Sequence, residues 1–299
     1  MFEPRGKTMS NVRASLASEV PYHKGLGFTF LLIASLALGA TTGANADGLV
    51  LWNKLGSASE ILNSAYGPDL EFYSGGDVFS VSATPSYVPG VFGNALTIGS
   101  GAYRSTDRVR NVVVNDLDQI LDPSQGTIEV WVHQVADPVG YSHNPHRIFD
   151  GSFGLGSGMA LQTYEDKGLR FHLNFGGTTA LLTNDISSLN GTWVHVAGVW
   201  DVDGIKGSND KIRLYVNGQM VASGTSAEWG STVGSRADIA SGNDGNIAGK
   251  FYVDNLKLFD YARTDFSNRM QEDDGLAPPE SGLIAYYCSA SRRGVGTGM

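Results

Sequence analysis

Cysteine is nearly absent from this chain of 299 residues: Cys288 stands alone, so no internal disulfide can hold the fold. Charge is also scarce, at 17% of residues against a usual ~25%, and it is tilted toward acid, with 21 Lys plus Arg against 30 Asp plus Glu. A net charge of -9 argues against a nucleic-acid partner, which needs a basic surface to displace phosphate counterions. No apolar run approaches the ~20 residues of a membrane span. No segment carries the apolar spacing of an amphipathic helix of three turns; residues 115–121 and 264–272 offer short turns at most. The chain has no G-x-S-x-G, no H-E-x-x-H and no glycine-rich phosphate loop. What it has in excess is glycine, 39 residues without a collagen period, which points to many tight turns between short strands. With 41% hydrophobic residues there is enough apolar material for a core, which excludes a disordered chain.

Residues 28–38 (FTFLLIASLAL) form a short apolar run, preceded by His23 and Lys24 and followed by Ala44-Asn45-Ala46. A basic flank, a brief apolar segment and a small-x-small end are the parts of a secretory signal peptide, so residues 1–46 are expected to be removed, with Met9 an alternative start. A permanent anchor is the competing reading, and the run is short for it. Export with a single cysteine suits a secreted or cell-envelope protein of a bacterium, with no stable membrane span in the mature chain.

From Gly48 onward, period-two alternation recurs between turn residues. In 127–133 (TIEVWVH), Ile128, Val130 and Val132 share one face, while Glu129, Trp131 and His133 share the other. Residues 168–175 (GLRFHLNF) alternate in the same way. Residues 193–200 (WVHVAGVW) are apolar at both parities, as in a strand covered on two sides. Residues 211–216 (KIRLYV) run into Asn217-Gly218, the dipeptide of a type I′ hairpin. Residues 251–259 (FYVDNLKLF) make a last long strand. Strands every 8–12 residues without βαβ spacing predict an all-β fold, a two-sheet antiparallel β-sandwich or jelly roll, over residues 47–274. The expected core includes Ile128, Val130, Val132, Phe171, Leu173, Trp193, Val196, Leu214, Val216, Val253 and Leu256, and Trp131 and Trp200 are expected there too.

Five segments, in order, carry a family resemblance: 88–96 (VPGVFGNAL), 126–132, 193–197 (WVHVA), 212–218 (IRLYVNG) and 251–259. Together they resemble the LamG-like jelly roll of the concanavalin A-like lectin/glucanase superfamily. The resemblance implies two packed antiparallel sheets, extracellular binding of a glycan or a cell-surface protein, and in some branches a calcium ion. It also admits a glycoside hydrolase or lyase, and a structural or adhesion component of the surface. Glycosidases of this superfamily usually set their carboxylates along one strand as a Glu-x-Asp-x-x-Glu run, which this chain lacks; Glu129 is followed on its face by Trp131 and His133. The expected function is therefore non-enzymatic binding.

The long polar connection 137–147 (DPVGYSHNPHR) supplies the candidate ligand residues. Tyr141 offers a ring for stacking on a sugar, while Asn144 and Arg147 offer hydrogen bonds to its hydroxyls; Trp229 is a second candidate platform. Asp254 interrupts the apolar run of the last strand. It is either a calcium ligand together with carbonyls of an early loop near Gly93, or a carboxylate that fixes a turn by accepting backbone hydrogen bonds. Residues 201–204 (DVDG) and 243–246 (NDGN) resemble fragments of calcium loops but read better as polar hairpin loops. The end of the chain, residues 275–299, reads as a disordered tail. Its Pro278-Pro279-Glu280, short apolar run and Arg292-Arg293 resemble the layout of a bacterial PEP-CTERM sorting signal, yet the apolar run of 282–288 is far too short to span a bilayer.

Overall fold

The structure, a computed structural model, describes residues 48–73, 81–82, 85–97, 109–110, 112–134, 146–151, 158–163, 168–175, 178–185, 191–225, 233–240 and 251–276. The expected signal peptide, Tyr141, Asn144 and Trp229 lie outside the described residues, as does the tail from residue 277 on.

Two antiparallel sheets face each other across one core, as the alternation predicts. The eight-stranded sheet is built around β8 (Gln125–Gln134), β13 (Trp193–Asp201) and β17 (Phe251–Phe259). On the β13 side it continues through β14 (Ile212–Val216) to β15 (Gln219–Gly224). Beyond β17 lie β5 (Asn94–Thr97) and then β4 (Ser86–Pro89), with β1 (Leu49–Asn53) paired to the other half of β17. The seven-stranded sheet runs β12 (Thr178–Asp185), β11 (Gly168–Phe175), β10 (Gly158–Thr163), β9 (His146–Asp150), β16 (Arg236–Ile239), β7 (Val112–Asn115), β2 (Glu71–Phe72). A two-residue parallel pair, β3 (Val81–Ser82) and β6 (Val109–Arg110), stands apart from both. The α-helices among the described residues are single turns, α1 (Ala58–Ile61) and α2 (Leu117–Ile120), and a 3₁₀ turn spans Ile205–Gly207. The β14–β15 hairpin turns at Asn217 and Gly218 with φ of 50° and 80°, the left-handed pair that a type I′ turn demands.

Alternation decides which side chains fill the space between the sheets. Ile128, Val130 and Val132 of β8 and Val194, Val196 and Trp200 of β13 point inward, against Leu169, Phe171 and Leu173 of β11. Phe171 lies where a side chain on Gly198 would stand: a Cβ there would come within 2.5 Å of its ring. Val253 and Leu256, both buried, have opposite parity on β17. A bulge between Asp254 and Lys257 reconciles them, with Asn255 at φ 56° absorbing the extra residue. Beyond the bulge, Lys257 and Phe259 join Tyr252 and Asp254 on the outer face of the sheet.

Two expected core residues do not lie between the sheets: Trp131, though buried, is on the outer face of β8, and Trp193 is on the outer face of β13. Trp193 is half-buried on the outer face, because β13 directs Trp193, His195, Ala197 and Val199 outward and Val194, Val196 and Trp200 inward. Replacing Trp200, which is fully buried, by alanine is expected to destabilise the domain by about 3–5 kcal/mol, whereas Trp193→Ala is expected to lose only about 1–2 kcal/mol. Chemical denaturation of the two variants checks the assignment of faces; equal losses would contradict it.

Candidate functional site

The outward residues of β8 lay out the whole outer face of the eight-stranded sheet: Thr127, Glu129, Trp131 and His133. Thr127 docks the chain that follows β17. Its hydroxyl donates to the Tyr261 carbonyl at 2.8 Å and accepts from the Arg263 amide at 2.9 Å. Residues 261–276 then fold back over the sheet and bring two charges with them.

Glu129 is 2% exposed and would be untenable as a lone carboxylate. Arg263 Nη1 lies 3.2 and 3.3 Å from its two oxygens, and the same nitrogen donates to Asp274 Oδ2 at 2.7 Å. Lys257 Nζ, also buried, lies 2.8 Å from Asp274 Oδ2 and 3.9 Å from Glu129 Oε1. Two carboxylates and two cations thus neutralise one another under the returning segment. Arg263 further sits over the rings of Phe259 and Phe266 at 5.0 and 5.1 Å, and Lys257 over Trp52 at 5.4 Å. His195 closes the cluster with Nε2 3.7 Å from Glu129. Burial, reinforced by the nearby cations against the pull of Asp274, pushes its pKa down to about 3, so it stays neutral. Asn255 at the bulge ties this assembly to β1, accepting from Trp52 Nε1 at 2.7 Å and donating to the Glu272 carbonyl at 2.9 Å.

At the other end of β8 the outer face is aromatic and half-open. His133 stacks on Tyr252 at 5.2 Å with an interplanar angle of 23°, and Trp193 meets them edge-on at 5.5 Å and tilted at 6.5 Å. All three rings are half-buried. Behind them Trp131 packs edge-on against Phe92 at 6.3 Å and against His195 at 5.4 Å. Asp254 positions Phe92: the amides of Val91 and Phe92 donate to its Oδ2 at 2.7 and 3.0 Å. Gly90 permits this approach, since a Cβ there would stand 2.5 Å from the same oxygen.

Asp254 therefore reaches the early loop near Gly93 that the sequence pointed to, and does so as an acceptor of amides. Calcium needs about six to eight oxygens, and the turn directs N–H groups at this carboxylate. Among the described residues, no three His, Cys, Asp or Glu side chains assemble as a metal-binding group. The second oxygen of Asp254, Oδ1, is buried without a hydrogen-bond partner.

Arg147 lies elsewhere, on β9 in the other sheet. Its Nη1 donates to Gln162 and its Nε is 3.6 Å from Asp150. The structure thus separates Arg147 from Asp254 rather than joining them. Beside Arg147 is a feature that the sequence did not announce: Asp150 and Asp238 face each other across β9 and β16, each 1% exposed. Residues 201–204 form a polar turn after β13, where the Asp203 amide donates to Asp201 Oδ1 at 2.9 Å.

Burial raises the pKa of Asp254 from 3.8 to about 6, against the two amide hydrogen bonds that favour the charged form. The native carboxyl thus keeps its proton where the unfolded one has lost it. Its contribution to stability is greatest below 3.8 and declines as the pH rises through about 6. In Asp254→Asn the amide oxygen can still accept from Val91 and Phe92 while the charge is gone. Relative to the parent, this variant is expected to gain about 2 kcal/mol between about pH 4 and about pH 7. Urea melts at both pH values check this, and no relative gain would contradict it. A chelator is expected to leave the melting temperature unchanged; a fall on chelation that disappears in Asp254→Asn would assign calcium to this carboxylate.

Residues 105–266 match a family model described as the concanavalin A-like lectin/glucanases superfamily. No curated protein sequence matches the chain. Among solved structures, the binding domain of Paraclostridial Mosquitocidal Protein 1 is similar at 14% identity and a TM-score of 0.51, over 73% of this chain and 50% of that one. The botulinum neurotoxin serotype D binding domain is similar at 16% identity and a TM-score of 0.52, over 83% of this chain and 52% of that one. The botulinum neurotoxin type G receptor binding domain is similar at 14% identity and a TM-score of 0.52, over 75% and 51%. The chain therefore spans about half the length of each of these proteins, and at such identities the likeness is one of fold. The family match takes in more than half of the residues, and the chain belongs to the concanavalin A-like lectin/glucanases superfamily.

Proposed function

We propose that this protein is an exported, non-enzymatic binding module that holds a glycan against the rings of Trp193, Tyr252 and His133. The observation that carries the reading is the open aromatic cluster itself. Its three rings lie on a rigid sheet face, and those of Trp193 and Tyr252 end in a polar group. His133 Nδ1 is buried and out of a ligand's reach, whereas neither the Trp193 indole N–H nor the Tyr252 hydroxyl is spent on a bond within the described protein. Sugars present an apolar C–H face and a rim of hydroxyls, which is the complement of aromatic faces edged with donors and acceptors. The sheet pre-organises the rings, so little ordering is lost on binding.

Fold relatives described as binding or receptor-binding domains favour binding over catalysis. Glu129 is buried and locked in ion pairs, and Asp254 on the same face is buried and takes up the Val91 and Phe92 amides, whereas hydrolysis needs an acid and a second carboxylate free to flank the bond at ~5–5.5 or ~6.5–9.5 Å. The basic flank, short apolar run and Ala44-Asn45-Ala46 end support export by a signal peptide and residence outside the cell or in a bacterial envelope. No helix among the described residues is long and apolar enough to cross a membrane.

On a glycan array the chain is expected to bind, and Trp193→Ala combined with Tyr252→Ala to weaken that binding about tenfold or more without loss of the fold. Binding that survives the double variant would contradict the site. Release of reducing or unsaturated sugar from a polysaccharide panel would contradict the non-enzymatic reading. A blank array together with retention on cells through a protein receptor would replace the glycan with a surface protein.

A further inference from the structure

The β8–β13 pair has two ends, and the aromatic cluster occupies one, where His133 and Trp193 are cross-strand partners. At the other, Gln125 and Asp201 are partners with the same outward parity. There the turn after β13 and the returning segment 261–276 leave a cleft of about 610 Å³ between them. That is within the ~300–1,000 Å³ of small-molecule sites. Gln125, Asp201, Lys206, Tyr261, Thr264 and Asn268 line it. We infer that this cleft is a second saccharide subsite, for a neutral, hydroxyl-rich unit; it rests on the glycan reading only for the class of ligand.

Three observations lead there. The first is rigidity: Arg263 and Asp274 form part of the lining, and both are fixed by the buried charge cluster. Arg263 Nε also donates to the Asp265 carbonyl at 2.8 Å, which fixes the wall that carries Thr264. The cleft is therefore shaped before a ligand arrives. The second is its polar inventory. The side chains of Gln125, Thr264 and Asn268 spend no hydrogen bond within the described protein, so two planar amides and a hydroxyl remain for a ligand. Tyr261 supplies a ring, held edge-on to Phe259 at 5.6 Å. The third is charge. Asp201 gives one oxygen to the Asp203 amide and keeps the other, while Asp265 is bonded by both the amide and the side chain of Ser267. Lys206 offsets one of these two acids, while Arg263 and Asp274 are already paired. A remaining negative charge disfavours carboxylate or sulfate ligands, and amides, a hydroxyl and carboxylate oxygens suit neutral sugar hydroxyls. At ~3.3 Å per residue the two subsites lie on the order of 25 Å apart, so a polysaccharide long enough to engage both would gain by avidity.

The test is a titration of the ¹⁵N-labelled chain with methyl α-mannoside, methyl β-glucoside and N-acetylglucosamine, with galacturonate as the acidic control. The side-chain amide signals of Gln125 and Asn268 report the cleft, and the indole signal of Trp193 reports the aromatic end. At least one neutral sugar is expected to shift both amide signals saturably. Asn268→Ala, at an exposed position, is expected to weaken that response about tenfold, and Trp193→Ala with Tyr252→Ala to leave it intact. Shifts confined to the Trp193 end would overturn the cleft and leave the aromatic site standing. Shifts confined to the cleft would do the reverse. No response of the amides to any neutral sugar, or an equal response to galacturonate, would overturn the inference.

Discussion

The outer face of the eight-stranded sheet depends on the neutralisation of Glu129. A carboxylate in mid-strand, covered by the returning chain, has to be matched, and the match comes from 134 residues away in Arg263. Asp274 then balances the second cation, Lys257, so that four buried charges cancel. Such clusters are weak sources of net stability, because desolvation offsets most of the attraction. In this account their effect is on specificity: the path that residues 261–276 take across the sheet pairs all four. The segment cannot slide by a residue without leaving a buried charge unpaired, which is far more costly than the net gain from the pairing.

Everything with potential for function on this face follows from that path. By covering the middle of the sheet, the returning segment leaves the His133 end open, where the rings of Trp193 and Tyr252 meet solvent. At the Gln125 end it stands off from the turn after β13 and forms one wall of a cleft. Asn255 joins the device to the sheet, since the bulge that puts Lys257 on the outer face also turns the Asn255 side chain toward Trp52 and the Glu272 carbonyl. Leu276, at the end of this segment, packs against the cluster of Leu49, Trp52 and Phe259.

The fold was legible because its signals are local. Alternation in β8 and β11 assigns their faces residue by residue, and Asn217-Gly218 marks the hairpin. The site was less legible. In WVHVAGVW both parities are apolar, so Trp193 reads as core until the partner sheet shows which parity faces Phe171. Lys257 in an apolar run and the Arg263–Asp274 pair beyond the last strand carry no pattern, since their meaning depends on Glu129, far away in sequence. Asp254 was legible as an exception, and its reach to the early loop follows from the family resemblance; that it accepts amides needed coordinates. Asp150 and Asp238 became a pair only through the β9–β16 register.

The central claim, that Glu129 and Arg263 are coupled through a buried network that fixes the returning segment, is tested most directly by a double-mutant cycle. Glu129→Gln, Arg263→Met and the combined variant would be compared by equilibrium denaturation at neutral pH. The account predicts that each single change destabilises by about 3–5 kcal/mol and that the pair together loses much less than the sum, a coupling above about 1.5 kcal/mol. Losses that add to within about 0.5 kcal/mol would show that the two side chains do not depend on each other, and the network would no longer explain where the chain runs.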